Sequence, residues 1–180
     1  VGTQFFVDET KAKGYVVVAV ACPDAALSVS RRALAKLVLP GQRALHMKNE
    51  SARRRSQIAG AVCDLRHVGV RAWVLDAGRG PESELSRRER ALRALVVRAA
   101  PEGAAHLILD LDLDETLVAR DARALSAAVR EARAPSVTYS HQSLRAQPLL
   151  ALPDVIAWCW ARGGDWRRRV GPIVNDARTV

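Results

Sequence analysis

An α/β fold built on a mixed sheet flanked by helices is predicted by three features of this 180-residue chain. Five short apolar runs, rich in β-branched residues, are spaced along it. The first two are separated by a turn-like segment, as in an antiparallel hairpin. From the second run onward, each is followed by a stretch of helical periodicity, the pattern of a partly parallel sheet covered on both faces.

Taken in order, Phe5-Phe6-Val7 is the first run and closes on Asp8-Glu9. Residues 10–14 have hairpin-turn character and end in Gly14. Tyr15–Cys22 is apolar and β-branched, a central strand rather than the core of a secretion signal, because Asp8 and Glu9 precede it. Pro23-Asp24 opens a helix to about Leu37, which Pro40-Gly41 breaks. Residues 43–49 read as extended. Residues 50–67 carry Ile58, Val62 and Leu65 at helical spacing, with Gly69 beyond the end. Val70–Leu75 is a strand, and residues 82–99 form a basic amphipathic helix. Leu107–Leu111 is a strand among Asp110, Asp112 and Asp114, and residues 117–132 are helical. Ser136–Ser140 is the fifth strand. Pro153 starts a helix that Gly163-Gly164 stops. The basic tail from about 163 to 180 is expected to hold a last short helix.

Composition sets the class. With 49% hydrophobic and 26% charged residues, the chain reads as one globular domain over 1–180, not a disordered or collagen-like one. No apolar run approaches the ~20 residues of a membrane-spanning helix. Four lysines and 24 arginines give a net charge of +9. That balance favours a polyanionic partner, nucleic acid first, against the alternative of a merely solvated arginine-rich surface. Cys22, Cys63 and Cys159 are widely spaced with no C-x-x-C pair, which argues against a zinc knuckle and fits a reduced, cytoplasmic interior.

The chemistry-bearing residues are carboxylates embedded in apolar sequence. Asp8 ends a buried strand, Asp110 and Asp112 end another, and Asp154 lies in the first turn of a helix. An unpaired buried charge is costly, and carboxylates gathered on a sheet edge repel one another. A pair of Mg²⁺ or Mn²⁺ ions would relieve that repulsion and support phosphodiester cleavage. Alternatively, Asp154 caps its helix and Asp8 begins a turn. His46 and Lys48, just before a helix that starts with Arg53 and Arg54, are candidates to hold a phosphate, as is His141 at the end of the last strand. Trp166, among arginines, is a candidate base-stacking residue or a packing anchor for the tail.

The ordered set Phe5-Phe6-Val7-Asp8-Glu9, Leu45-His46-Met47-Lys48, a strand ending near Asp110, Tyr139-Ser140-His141, and Leu149 through Trp158 resembles domain-of-unknown-function family 3800. The resemblance covers nearly the whole chain. Members open with a strand ending Asp-Glu-Ser-Gly and close with a helix bearing Ala-Asp between hydrophobic residues. Here Thr10-Lys11 replaces Ser-Gly, and Leu152-Pro153 precedes Asp154. The resemblance implies a ribonuclease H-like, five-stranded sheet, with about 23–67 as a helical insertion between strands 2 and 3. It implies a metal-dependent nuclease acting on DNA or RNA. Carried over by position, the Mg²⁺ or Mn²⁺ ligands are Asp8, Asp110 or Asp112, and Asp154, with Glu9 matching the family's glutamate. Glu50 and Glu89 are both open as a further helix glutamate. A non-catalytic, nucleic-acid-binding or defence-associated module on the same fold is the alternative. A second alternative comes from Asp112-Leu113-Asp114-Glu115-Thr116, which resembles the first motif of haloacid dehalogenase-type phosphatases; there Asp112 would be the nucleophile and Asp114 the acid/base.

Overall fold

A computed structural model describes residues 2–111 and 114–180. Its centre is a six-stranded mixed sheet. β1 (Thr3–Thr10) and β2 (Val16–Pro23) form the expected antiparallel hairpin, and β3 (Arg71–Asp76) pairs antiparallel with β2. β4 (Ala105–Asp110) lies parallel to β1 on its other side, and β5 (Val137–Gln142) lies parallel to β4. A sixth strand, β6 (Val174–Thr179), adds parallel to β3, giving the order β5-β4-β1-β2-β3-β6.

Six strands correct the five expected from sequence. The sequence Val-Asn-Asp-Ala-Arg-Thr of β6 has no apolar alternation and most of its side chains are exposed. It is held by the backbone ladder to β3, extended by the Val180 amide donating to the Asp76 carbonyl at 2.9 Å. An edge strand secured by main-chain bonds leaves little side-chain signal. The tail also holds the expected short helix, α6 (Gly164–Val170).

The helices divide between the two faces as the strand alternation dictates. On one face, Phe6, Val18, Val20 and Ile108 pack against α1 (Asp24–Ala35), α2 (Ala52–Asp64), α5 (Ala151–Arg162) and α6. On the other, Phe5, Val7, Val17 and Leu107 pack against α3 (Glu84–Ala99) and α4 (Glu115–Glu131). β2 sits between the two layers and is buried over Val16–Cys22, which explains its unbroken apolar sequence. Ser51 and Ser83 cap α2 and α3 by accepting the amides of Arg54 and Ser86.

The hairpin turn depends on Gly14, whose φ is 118° and whose missing Cβ would stand 3.2 Å from the Gly78 carbonyl oxygen. That closeness lets Tyr15 exchange backbone bonds with Gly78 and Ala77, fixing the far end of β3 against the hairpin. Residues 43–49 are not extended throughout as expected. Met47–Asn49 form a 3-10 turn, because Met47 is drawn fully into the core and pulls the chain round. Among the described residues no helix is long and apolar enough to cross a membrane.

Candidate functional site

Three of the singled-out carboxylates meet at one end of the sheet, on one face. Val7 is in register with Leu109, so Asp8 and Asp110 leave the neighbouring parallel strands β1 and β4 one position further on. Both share the parity of Phe6 and Ile108, which face α5. Asp154, in the first turn of α5, faces them from that helix. Leu152, Val155 and Ile156 bury the rest of this turn in the core, so Asp154 is held over the sheet by packing on both sides.

The electrostatics follow from this crowding. Burial, then the charge of Asp154, then those of Glu9 and Asp110, push the Asp8 carboxyl up to about 8, against one opposing bond from the Glu9 amide. That amide donates to Asp8 Oδ1 at 2.8 Å. Burial also raises Asp154 and Asp110 above the ordinary carboxylate value. Asp154 is partly compensated: the Met47 amide donates to its Oδ2 at 2.8 Å, and His46 Nδ1 lies 3.9 Å from Oδ1. The charge of Lys48 acts in the same sense. For Asp110, the Leu111 and Leu144 amides and His46 oppose the burial penalty. His46 and Lys48 therefore stand beside Asp154, and Met47 between them is the anchor that holds them there.

The remaining candidates are placed elsewhere. Glu9 has the opposite parity to Asp8 and points to the α3–α4 face, where its Oε2 accepts from Arg88 Nη1 at 2.5 Å. His141 is in register with Leu109 and also faces that side, where its Nε2 lies 3.0 Å from Asp121 Oδ2. Neither faces the carboxylate cluster. Arg54 is occupied as well. It pairs with Glu50 at 3.0 Å and donates to the Leu37 carbonyl, tying α2 to the end of α1. Glu50 is consequently a structural partner, held below its usual value: burial works against its charge, but bonds from Gln42 and Arg54 outweigh it. Arg53 is exposed at the start of α2. Glu89 pairs with Arg93 on α3, on the far face of the sheet. Asp112 lies outside the described residues. Asp114 caps α4 by accepting the Thr116 amide at 2.9 Å.

Sequence reasoning missed the most buried charge network. Arg88 donates from Nε and Nη2 to the two oxygens of Asp121, both at 2.8 Å, and from Nη1 to Glu9 and the Tyr15 hydroxyl. Burial opposes the Arg88 charge, but these partners override it and raise its pKa. The signal was present as Arg88 among the inward positions Ala91, Leu92 and Leu95, and was hidden by the arginines around it. Those neighbours are engaged too: Arg90 with Glu82, and Arg93 with Glu89 and Glu131. Trp166 packs edge-on against Trp158, with ring centroids 5.1 Å apart at 85°, and so anchors the tail to α5.

No protein-family model matches the chain, and no curated protein matches it.

Proposed function

We propose that this protein is a metal-dependent nuclease with a ribonuclease H-like sheet, hydrolysing phosphodiester bonds of DNA or RNA. The observation that carries the reading is the convergence of Asp8, Asp110 and Asp154 from three separate parts of the chain onto one face at one sheet end. The strand order supports it. Read from β3 to β5 it runs 3-2-1-4-5, with the first three strands antiparallel to their neighbours and the last two parallel to β1.

The donor set fits a hard divalent cation in kind, since it offers carboxylate oxygens and a buried excess of negative charge. Among the described residues, no group of three His, Cys, Asp or Glu side chains is arranged to hold an ion as it stands. Binding therefore requires the carboxylates to draw together and Asp8 to release its proton. Asp8, Asp110 and Asp154 would hold Mg²⁺ or Mn²⁺, which when bound in pairs activates water and stabilises the leaving oxygen. His46 and Lys48, beside Asp154, would orient the scissile phosphate by charge-assisted hydrogen bonds. Arg53, exposed on the same loop-to-helix junction, would contact the backbone further along.

A non-catalytic nucleic-acid-binding module is favoured by one different observation. The Met47 amide, His46 and Lys48 already compensate Asp154, so the site is tolerable without an ion. One experiment decides between the two. Cleavage of single- and double-stranded DNA, RNA and hybrid is measured with Mg²⁺ or Mn²⁺, using wild type, Asp8→Asn and Asp154→Asn. Cleavage lost in both variants supports the nuclease. Salt-sensitive binding with no cleavage by wild type overturns it in favour of the binding module.

A further inference from the structure

We propose that an arginine-rimmed cavity beside the carboxylates is a nucleotide subsite, and that the substrate is therefore a single strand of nucleic acid rather than an intact duplex. This rests on the nuclease reading for its chemistry but not for its binding.

The cavity has a volume of about 460 Å³ and lies between the end of α1, the loop before Met47 and the segment leading to α5. Leu34, Val38 and Pro148 contribute apolar lining, while Arg31, Arg43 and Arg145 supply the charge. None of these three guanidinium groups meets an acidic side chain among the described residues. An apolar recess with three uncompensated cations calls for a ligand with a flat apolar body and negative charge. A nucleotide has both: a base face to bury and a phosphate that a guanidinium grips through two parallel bonds.

Three of the cavity's lining residues adjoin carboxylate-site residues along the chain or through a hydrogen bond. Leu45 immediately precedes His46. The Leu144 amide bonds the Asp110 carboxyl. Ala151 is one helical turn before Asp154 on α5. A nucleotide in the cavity thus presents its neighbouring phosphate to Asp8, Asp110 and Asp154.

A second cationic recess lies beyond the carboxylates in the other direction. It has a volume of about 350 Å³ and is lined by Thr10, Lys13, Trp158 and Arg162. Trp158 follows Asp154 by one turn of α5, and Thr10 follows Asp8 by two residues on the same face of β1. Neither Lys13 nor Arg162 meets a described acid. The carboxylates are thus bracketed along α5 by two positively charged hollows, a path for one backbone. A base paired within a duplex cannot enter the first hollow without first being unstacked and flipped out of the helix.

The test is binding in EDTA, where no cleavage occurs, of short fluorescein-labelled single strands of DNA and RNA and of the matching duplexes. Arg145→Glu reverses a rim charge, and Ala44→Leu fills the cavity without changing charge. Arg120→Glu, exposed on the opposite face, makes the same charge change as a control. Thermal melts establish that each variant folds. The expected result is tighter binding of single strands than of duplexes, weakened about tenfold or more by Arg145→Glu and by Ala44→Leu, and little changed by Arg120→Glu. Equal binding of duplex and single strand overturns the proposal, as does equal loss in all three variants. So does retention of single-strand binding by both cavity variants. Failure of the nuclease reading looks different: the cavity variants lose binding while wild type cleaves nothing with either metal.

Discussion

Asp8→Asn isolates the electrostatic penalty at the centre of the site. The carboxyl is buried between Asp154 and Asp110 and is pushed up to about 8, whereas in the unfolded chain it titrates near the ordinary value of 3.8. Between those limits the folded state holds a proton that the unfolded state has released. The folded pKa is the raised one, so the contribution of Asp8 to stability is complete below about pH 4 and is lost as pH rises towards 8. About four decades of proton affinity correspond to an upper limit of roughly 6 kcal/mol, at ~1.4 kcal/mol per decade. Water entry and counter-ions at the sheet edge reduce this, and a loss of about 2–3 kcal/mol between pH 5 and pH 8.5 is expected. Asparagine keeps the acceptor for the Glu9 amide and removes the charge. Urea unfolding in EDTA at several pH values should show wild type weakening steeply across this window and Asp8→Asn weakening less, since only the raised carboxyls of Asp154 and Asp110 still titrate there, so that the variant becomes the more stable protein at pH 8.5. Mg²⁺ or Mn²⁺ should restore wild type at pH 8.5 and leave the variant unmoved. Parallel pH profiles for the two proteins, or a variant destabilised equally at every pH, would refute the reasoning.

Two further outcomes test the scaffold around the site. Arg88→Met strands the buried charge of Asp121 and the half-buried one of Glu9, and should destabilise the protein by about 3–5 kcal/mol at neutral pH. Adding Asp121→Asn should recover part of that loss, read by urea unfolding of the single and double variants. Deleting residues 174–180 removes β6, and the five paired positions of its ladder with β3 suggest a loss of roughly 1–3 kcal/mol. The newly bare edge of β3 should also promote concentration-dependent association, measured by light scattering on a sizing column. An unchanged melting temperature and a monodisperse monomer would show that β6 contributes nothing.

The sheet was legible wherever strands were buried on both faces. Tyr15–Cys22 and the Leu107–Leu109 core of the next apolar run declare themselves because every position meets a packed layer, and the helices between them because one face is apolar. β6 was not legible, since its pairing uses backbone groups that any sequence supplies. The same division holds at the site. Asp8, Asp110 and Asp154 stood out as charges in apolar sequence, and His46 and Lys48 lie beside them. Arg54 and His141 look like surface cations in sequence, yet one ties two helices together and the other is buried against Asp121. Nothing in a linear pattern distinguishes a guanidinium facing water from one facing a carbonyl across a helix junction. The parity of β1 assigns Glu9 to the opposite face from Asp8, but a partner on that face becomes visible only when α3 is in place.

That parity has an energetic consequence for the site. Asp8 and Glu9 are consecutive, project to opposite faces of β1, and still sense one another, since the charge of Glu9 helps to raise Asp8. Arg88, bonded to Glu9 at 2.5 Å, is the countercharge that limits this effect. Through Glu9, the buried Arg88–Asp121–His141 network is expected to act on the carboxylate cluster without touching it. Its loss should leave Glu9 uncompensated and drive the Asp8 carboxyl further up, moving the pH at which wild-type stability declines to a higher value. If that midpoint stays fixed in an Arg88→Met protein that remains folded, the network serves packing alone and the two faces of the sheet are electrostatically independent.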